Sequence, residues 1–144
     1  VYRVFDYAFD SAYAHALPNL ELFDIEGTLD LFGLEIDPIV VLHGRMPVLA
    51  FRAGRFAYVT DCNAIPPESM AKLYGLDTLI LAALRYREHP THFNVDQALA
   101  VVEELKPTRT YLTHIAHDLD HEFTNAALPD GVELAYDGLV LELH

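Results

Sequence analysis

Apolar residues recur along the chain in short runs, and their spacing predicts a first half built from strands. The runs, each bounded by turn residues, predict strands at residues 20–25, 28–32, 34–42, 46–52 and 56–60. Ala53, Gly54 and Arg55 separate the last two strands, and a short loop that contains Gly is typical of a hairpin. Ahead of these strands, aromatic residues at helical spacing predict a helix end at residues 1–9.

The second half alternates between helical and extended patterns. Helices are predicted at residues 66–74, 94–105 and 118–128, and strands at residues 77–84, 110–113, 132–136 and 139–143. The run at 77–84 is almost entirely apolar, which is typical of a strand that is buried on both faces. The apolar stripe of the second helix consists of Val95, Leu99, Val102 and Leu105. Between the last two strands, Asp137-Gly138 is a two-residue turn signal that predicts a closing hairpin.

This order of elements predicts an α/β (α+β) fold in a single domain that spans residues 1–144. A chain of 144 residues is long enough for one domain that buries roughly two-thirds of its unfolded surface. The hydrophobic fraction of 52% exceeds the ~45–50% of an average globular chain. We therefore expect more apolar surface than one small domain needs for its own core.

Three of the predicted strands run into a residue type that binds metal ions. The strand at 34–42 is followed by His43, the strand at 56–60 by Asp61, and the strand at 110–113 by His114. Each residue alone is more simply explained as a polar group at a strand end. Because α/β folds place ligands beyond the carboxyl ends of strands, the threefold repetition predicts one site. A helix is expected to start near Asp118, since Asp is a favourable N-cap residue.

Charge and cysteine content narrow the classes of function. The net charge is −13, from 22 acidic and 9 basic residues, and such a surface repels nucleic acid and anionic membranes. Cys62 is the only cysteine, so no internal disulfide can form, which favours a reducing compartment. No apolar run approaches the ~18 residues of a membrane span, and no signal peptide is visible. We therefore expect a cytoplasmic protein that binds neither nucleic acid nor a membrane.

Several segments of the chain resemble the metallo-β-lactamase superfamily. These segments are His43-Gly44, Tyr58-Val59-Thr60-Asp61, His89-Pro90-Thr91-His92-Phe93, Leu112-Thr113-His114-Ile115-Ala116-His117-Asp118 and Leu134-Ala135-Tyr136-Asp137-Gly138-Leu139. Within the superfamily, they are most similar to the phosphodiesterase branch that hydrolyses phosphoribosyl cyclic phosphates. The resemblance runs from about Tyr7 to Leu143, and the fourth and fifth segments are its most specific parts.

The resemblance implies the C-terminal half of an αββα sandwich. The family signature, His-x-His-x-Asp-His on an early loop, is absent from the sequence, because no two of its histidines stand two residues apart. The stretch from His117 to His121 ends in Asp-His, but Ala116 and Asp118 occupy the positions where the signature has histidines. We therefore expect the chain, which begins at Val1 rather than Met, to lack the first metal-binding loop.

The resemblance also implies roles for single residues around a pair of divalent ions, zinc or manganese. His43 would bind one ion, His114 the other, and Asp61 would bridge them. A carboxylate can span ions about 3.5–4 Å apart and hold a bridging water that becomes a hydroxide nucleophile. Asp61 and His92 are thus the implied catalytic residues, His92 as proton donor to the leaving oxygen, although an exposed loop position explains His92 equally well. His117 and Asp118 are implied to orient His114 without binding the ions themselves.

The implied function is metal-dependent hydrolysis of a small cyclic or diester phosphate through a metal-bridged hydroxide. With the early ligands missing, we expect at most partial metal occupancy and little activity from these residues alone. Two other hypotheses stay open at this point. One is a non-catalytic half-domain that serves as an assembly or binding module, and the other is a tRNA-processing nuclease of the same superfamily. The negative charge argues against the nuclease, because phosphate backbones are bound by Lys and Arg.

The half-fold also predicts a partner. One face of the sheet would lack its cover, and the candidates for that face, on alternate strand positions, are Ile39, Val41, Val48 and Ala50. Burial is worth roughly 25 cal/mol per Å² of apolar surface, so an uncovered face is costly. We expect it to pair with the missing N-terminal half or with a second copy of the chain.

Overall fold

The computed structural model describes residues 22–142, which build one seven-stranded sheet with helices on it. The elements are β1 (Leu29–Leu31), β2 (Leu34–His43), β3 (Met46–Ala53), β4 (Phe56–Val59), α1 (Pro67–Met70), a 3₁₀ turn (Ala71–Leu73), β5 (Thr78–Ala82), α2 (Val95–Leu105), β6 (Arg109–Thr113), α3 (His121–Ala127) and β7 (Val132–Leu134). The predicted helix at residues 1–9 lies outside the described residues. Residues 22–25 form no strand, so the described part of the strand predicted at 20–25 is wrong.

Strand order in the sheet follows the order of the chain, from β1 to β7. β1 to β4 pair antiparallel, whereas β4 to β7 pair parallel. Short loops can join the antiparallel strands, and each parallel step needs a crossover, which here contains α1, α2 or α3. Because β2, β4 and β6 run in the same direction, their carboxyl ends meet at one edge of the sheet.

One face of the sheet carries the hydrophobic core, and the opposite face of the first strands is exposed. Ile39 and Val41 are fully buried and Ala50 is 1% exposed, within a cluster that also holds α2 and the segment from α1 to β5. The prediction that these residues form the uncovered face is therefore wrong. The exposed face carries the other alternate positions, with Val40 46%, Leu49 38% and Tyr58 44% exposed. Both faces are apolar, and alternation alone does not reveal which one the helices cover.

Helices α2 and α3 begin at side-chain caps, and the cap of α3 differs from the prediction. Asn94 caps α2 in a reciprocal pair with Gln97, as a capping box requires. At α3, the Asp120 carboxylate accepts a hydrogen bond from the Phe123 N–H at 2.8 Å, and the helix starts at His121. The predicted start and cap at Asp118 are therefore wrong. Asp118 and Asp120 are equally suitable as N-cap residues by type, but only the Asp120 carboxylate accepts from a free N–H group of the first turn.

α2 also turns a slightly different stripe toward the core than predicted. Val95 and Leu105 are buried as expected, but Ala98 and Val101 are buried with them. Leu99 and Val102, the two other predicted members, pack against the core while partly exposed.

The closing hairpin is not present in the described residues. β7 pairs parallel with β6, and residues 139–142 form no strand. A local turn exists, because the Leu139 N–H donates to the Tyr136 carbonyl at 3.1 Å. β7 pairs with the free edge of β6 instead of with the segment that follows it. The Asn125 side chain of α3 also accepts a hydrogen bond from the Leu134 N–H at 2.7 Å. The turn at Asp137-Gly138 was predicted correctly, but tertiary packing determined which strand β7 pairs with.

Candidate metal centre

Three segments leave the sheet at one edge and bring their polar residues together there. His43 is the last residue of β2, Asp61 follows β4, and His114 follows β6. The Asp61 Oδ1 atom lies 3.4 Å from His43 Nε2 and 3.8 Å from His114 Nε2. The structure therefore brings together the three residues that the strand pattern singled out, while their roles as ligands stay predictions.

A fourth residue, His92, enters the cluster from the loop between β5 and α2. Its Nε2 lies 2.9 Å from Asp61 Oδ1. Its ring centroid is 4.9 Å from that of His43 and 4.8 Å from that of His114, on which it stacks at 15°. Three imidazoles thus surround one carboxylate oxygen.

The backbone at this edge adopts conformations that most residues avoid. Asp61 has φ 61° and His114 has φ 59°, so both lie in the left-handed region. Asp tolerates this region better than bulkier residues, and non-glycine residues in it cluster at functional sites. Gly44 also has a positive φ, and a Cβ there would lie 3.2 Å from Thr91 Cγ2. Glycine thus permits the close approach of the His92 loop to the end of β2.

Backbone hydrogen bonds fix the loops that carry Asp61 and His92. The Leu42 N–H donates to the Ala64 carbonyl at 2.9 Å, and the Gly44 N–H donates to Asn63 Oδ1 at 2.6 Å. The Phe93 N–H donates to the Cys62 carbonyl at 2.9 Å. Asp61 and His92 are therefore held by the chain on both sides of them rather than by each other alone.

Burial shifts the pKa of two groups in this region. Desolvation raises the pKa of the Cys62 thiol to about 12, with a contribution from the Asp61 charge. Cys62 is therefore a neutral core residue and not a thiolate ligand. Desolvation also lowers the pKa of His92, with repulsion from His114, while the hydrogen bond to Asp61 opposes the shift.

The donor atoms fit part of a paired metal site. Two ligands about 2.0–2.1 Å from a tetrahedral ion lie roughly 3.3–3.4 Å apart. The 3.4 Å between His43 Nε2 and Asp61 Oδ1 matches this separation, and the 3.8 Å to His114 is slightly longer. Donor atoms of His43, Asp61 and His92 all lie within 4.8 Å of one another. His43, Asp61 and His92 thus form a group that could hold a metal ion, and His114 lies beside it.

His117 and Asp118 do not join the cluster. Both are exposed, and no hydrogen bond or ion pair between either of them and His114 occurs in the part of the chain that the structure describes. Their predicted orienting role therefore gains no support. By contrast, His89 belongs to the segment His89–Phe93 that carries the resemblance, but no role was predicted for it. Its Nδ1 lies 2.8 Å from His92 Nδ1. The His-x-x-His spacing was the available signal.

Comparison with known proteins gives one family match. A family model described as "Beta-lactamase superfamily domain" matches residues 1–115. A protein from Porphyromonas gingivalis (strain ATCC BAA-308 / W83) named octanoyltransferase is 30% identical over 126 residues, which cover 85% of this chain and 26% of that protein. The chain thus corresponds to about a quarter of that relative's length.

Two solved structures resemble the fold described above. A diphosphatase from the PhnP family is 42% identical, with a TM-score of 0.87, over 99% of this chain and 54% of that one. The Zn²⁺-bound PqqB of Methylobacterium extorquens is 16% identical, with a TM-score of 0.64, over 85% of this chain and 55% of that one. At that identity the second likeness shows the fold alone. The chain spans about half the length of each. Within residues 22–142, no helix is long and apolar enough to cross a membrane.

Proposed function

We propose a function on the premise that this chain belongs to the beta-lactamase superfamily. The function that the site supports best is metal-dependent hydrolysis of a small cyclic or diester phosphate. The observation that carries the proposal is the convergence of three imidazoles on Asp61 Oδ1, at 2.9, 3.4 and 3.8 Å. The 42% identity to a diphosphatase supports a phosphate compound as the substrate class.

The metal assignment follows the donor set. His43 would hold one divalent ion and His114 another, with Asp61 between them. Imidazole and carboxylate donors suit zinc and manganese alike. When bound, such ions lower the pKa of a water and stabilise negative charge on the phosphate oxygens.

The role proposed for His92 follows from its position. Its Nε2 faces Asp61, and therefore the space in which a phosphate would lie against the ions. As water forms the new P–O bond, it releases a proton, and as the ester P–O bond breaks, the leaving oxygen takes a proton from the His92 imidazolium. The proton released by the water then restores the imidazolium. Proton transfer of this kind contributes typically ~10²–10⁴-fold to a rate.

The surroundings of the site favour a small substrate. A cavity of about 500 Å³ lies against His114 and is lined also by Thr113, His121, Tyr136 and Asp137. The net charge of −13 disfavours a polyanion such as tRNA, so the nuclease is the weaker alternative. A single buried cysteine is consistent with a reducing compartment, and we propose the cytoplasm.

The exposed sheet face supports the proposed partner. Val40, Leu49 and Tyr58 form an apolar surface of the kind that contacts other protein. The chain aligns with only 54% of the related diphosphatase, so we propose that further protein, the N-terminal half of the sandwich, packs there. A second copy of the chain is the alternative. Light scattering on the 144 residues tests this, because a freely soluble monomer at high concentration would contradict an uncovered apolar face.

The hydrolytic proposal is tested by assaying the Zn²⁺- or Mn²⁺-loaded full-length protein on a cyclic sugar phosphate. We expect turnover that requires the metal and falls by at least ~100-fold in His92→Ala, the range seen when proton transfer is removed. His117→Ala, an exposed histidine without contacts to the cluster, is the matched control and should retain activity. Turnover of neither a cyclic nor a diester phosphate under both metals would refute the proposal.

A further inference from the structure

We propose that His89 is a positioning residue for His92, holding the ring so that its Nε2 faces the metal-binding carboxylate. The inference rests on the proposed function of His92. The two contacts lie on opposite edges of the His92 ring, with Nδ1 2.8 Å from His89 Nδ1 and Nε2 2.9 Å from Asp61 Oδ1. Thr91 Oγ1, 2.9 Å from the same Nδ1, adds to the hold.

These contacts at Nδ1 matter because an imidazole has two ring orientations of similar intrinsic energy. Rotation by about 180° about the bond between Cβ and the ring exchanges each nitrogen with a carbon. In the exchanged orientation, a carbon would face Asp61 and no proton could pass to a leaving oxygen. Asp61 favours the observed orientation, but its carboxylate would be committed to the ions in the active protein. The contacts at Nδ1 would then be what keeps Nε2 in place.

His89 is itself fixed for this task. Its ring is half-buried, with its centroid 4.7 Å from that of His92 at a tilt of 57°. Thr91 approaches it through both its N–H and its hydroxyl, at 3.4 and 3.3 Å from Nδ1. Thr91 in turn packs against Gly44, the residue after His43. The segment from His89 to His92 is thus attached to the end of the strand that carries a predicted ligand.

No other role accounts for His89 within the described residues. It makes no hydrogen bond or ion pair there with Asp61, His43 or His114, and it is absent from the group of candidate ligands. It also lies outside the hydrophobic core. Its polar contacts run to Thr91 and to His92, which is the pattern expected of a residue that acts through another.

The test compares His89→Leu with His89→Asn in the Zn²⁺-loaded full-length protein. Leucine keeps bulk and removes the hydrogen bond, whereas the asparagine side chain places a polar atom near the position of Nδ1. Two substrates separate the role of the acid from that of the metal. A cyclic sugar phosphate releases an alkoxide that needs a proton, and bis-p-nitrophenyl phosphate releases a stable phenolate that does not.

For His89→Leu, we expect kcat on the cyclic phosphate to fall by about 10–100-fold, the range for groups that orient an active-site residue. KM and the rate on the nitrophenyl ester should change little, and His89→Asn should recover most of the loss. ¹⁵N NMR of the imidazoles supplies a readout without turnover. In the wild type and His89→Asn, the His92 nitrogens should show one ordered environment, which His89→Leu should replace by an averaged one.

Three results would overturn the inference. They are unchanged kcat on the cyclic phosphate in His89→Leu, an equal loss on both substrates, and unchanged His92 nitrogen signals. Each leaves the proposed function standing, because the wild type would still hydrolyse its substrate. If the wild type hydrolyses neither ester, the proposed function fails instead, and the nitrogen signals alone decide whether His89 holds the ring.

Discussion

Replacing Asp61 by Asn tests whether one carboxylate serves two ions. The change keeps the shape of the side chain and removes one unit of charge. In the structure, Oδ1 lies within 3.8 Å of Nε2 on both His43 and His114, so an ion beside either imidazole would also touch Asp61. We therefore expect a loss of affinity at both positions rather than at one.

The size of the loss can be worked from the geometry. The Asp61 side chain is 55% exposed, so the dielectric constant of water is the appropriate and conservative choice. At a carboxylate–ion distance of about 2.1 Å, a unit charge then contributes roughly 2 kcal/mol per unit of ionic charge. Even counting each ion as a single net charge, this corresponds to about a 30-fold weaker binding per ion.

The assay is Zn²⁺ titration of the full-length protein by calorimetry, with a competing chelator where binding is tight. Asp118→Asn is the matched control, because Asp118 is an exposed carboxylate without contacts to the cluster in the described residues. We expect two weakened binding steps in Asp61→Asn and none in the control. Affinities within about threefold of the wild type at both steps would show that Asp61 does not bridge, since ~30-fold per ion is expected.

Three further predictions concern groups away from the metal centre. Leu112→Ala should lower the free energy of unfolding by about 2–5 kcal/mol in urea titrations, because Leu112 is fully buried, whereas Val140→Ala should change it by less than ~0.5 kcal/mol. Cys62, with its thiol pKa raised by burial, should resist iodoacetamide until urea unfolds the chain; rapid alkylation of the native protein would contradict its burial. Hydrogen bonding to Arg55 lowers the pKa of Asp77 in the fold, so its stabilisation is present above the unfolded pKa and disappears as the pH falls through the folded one. Asp77→Asn should therefore flatten the acid side of the urea midpoint against pH, and an unchanged slope would count against the pair.

The sequence predicted the strands and the three polar residues beyond their ends for a physical reason. Apolar runs are local signals, and in strands that run the same way the carboxyl ends must meet at one edge. His43, Asp61 and His114 could therefore be placed together before their distances were known. His92 could be placed there only through the resemblance, because it lies on a loop whose path no periodicity describes.

The errors share a different cause. Helix α3 is capped by Asp120 rather than Asp118, and β7 pairs with β6 instead of folding into a hairpin. In both cases the local sequence allowed two structures, two possible caps for α3 and two possible pairing partners for β7. Tertiary contacts decided between them. The uncovered face was misassigned for the same reason, because Ile39 and Val40 are both apolar and only packing shows which one the helices bury.

Metal binding and packing of the exposed sheet face should be linked. Each ion would receive one predicted imidazole from this chain, whereas protein zinc sites take three or four protein ligands. The remaining ligands must approach Asp61 and His114 from their open sides, which are 55% and 41% exposed. In the proposed sandwich, the N-terminal half that would cover Val40 and Leu49 would also supply those ligands. Because an ion held from both sides stabilises the packed state, Zn²⁺ should strengthen association between the two halves, and the Asp61→Asn variant should abolish the gain. An association constant that is independent of Zn²⁺ would mean that the sheet face and the metal centre have different partners.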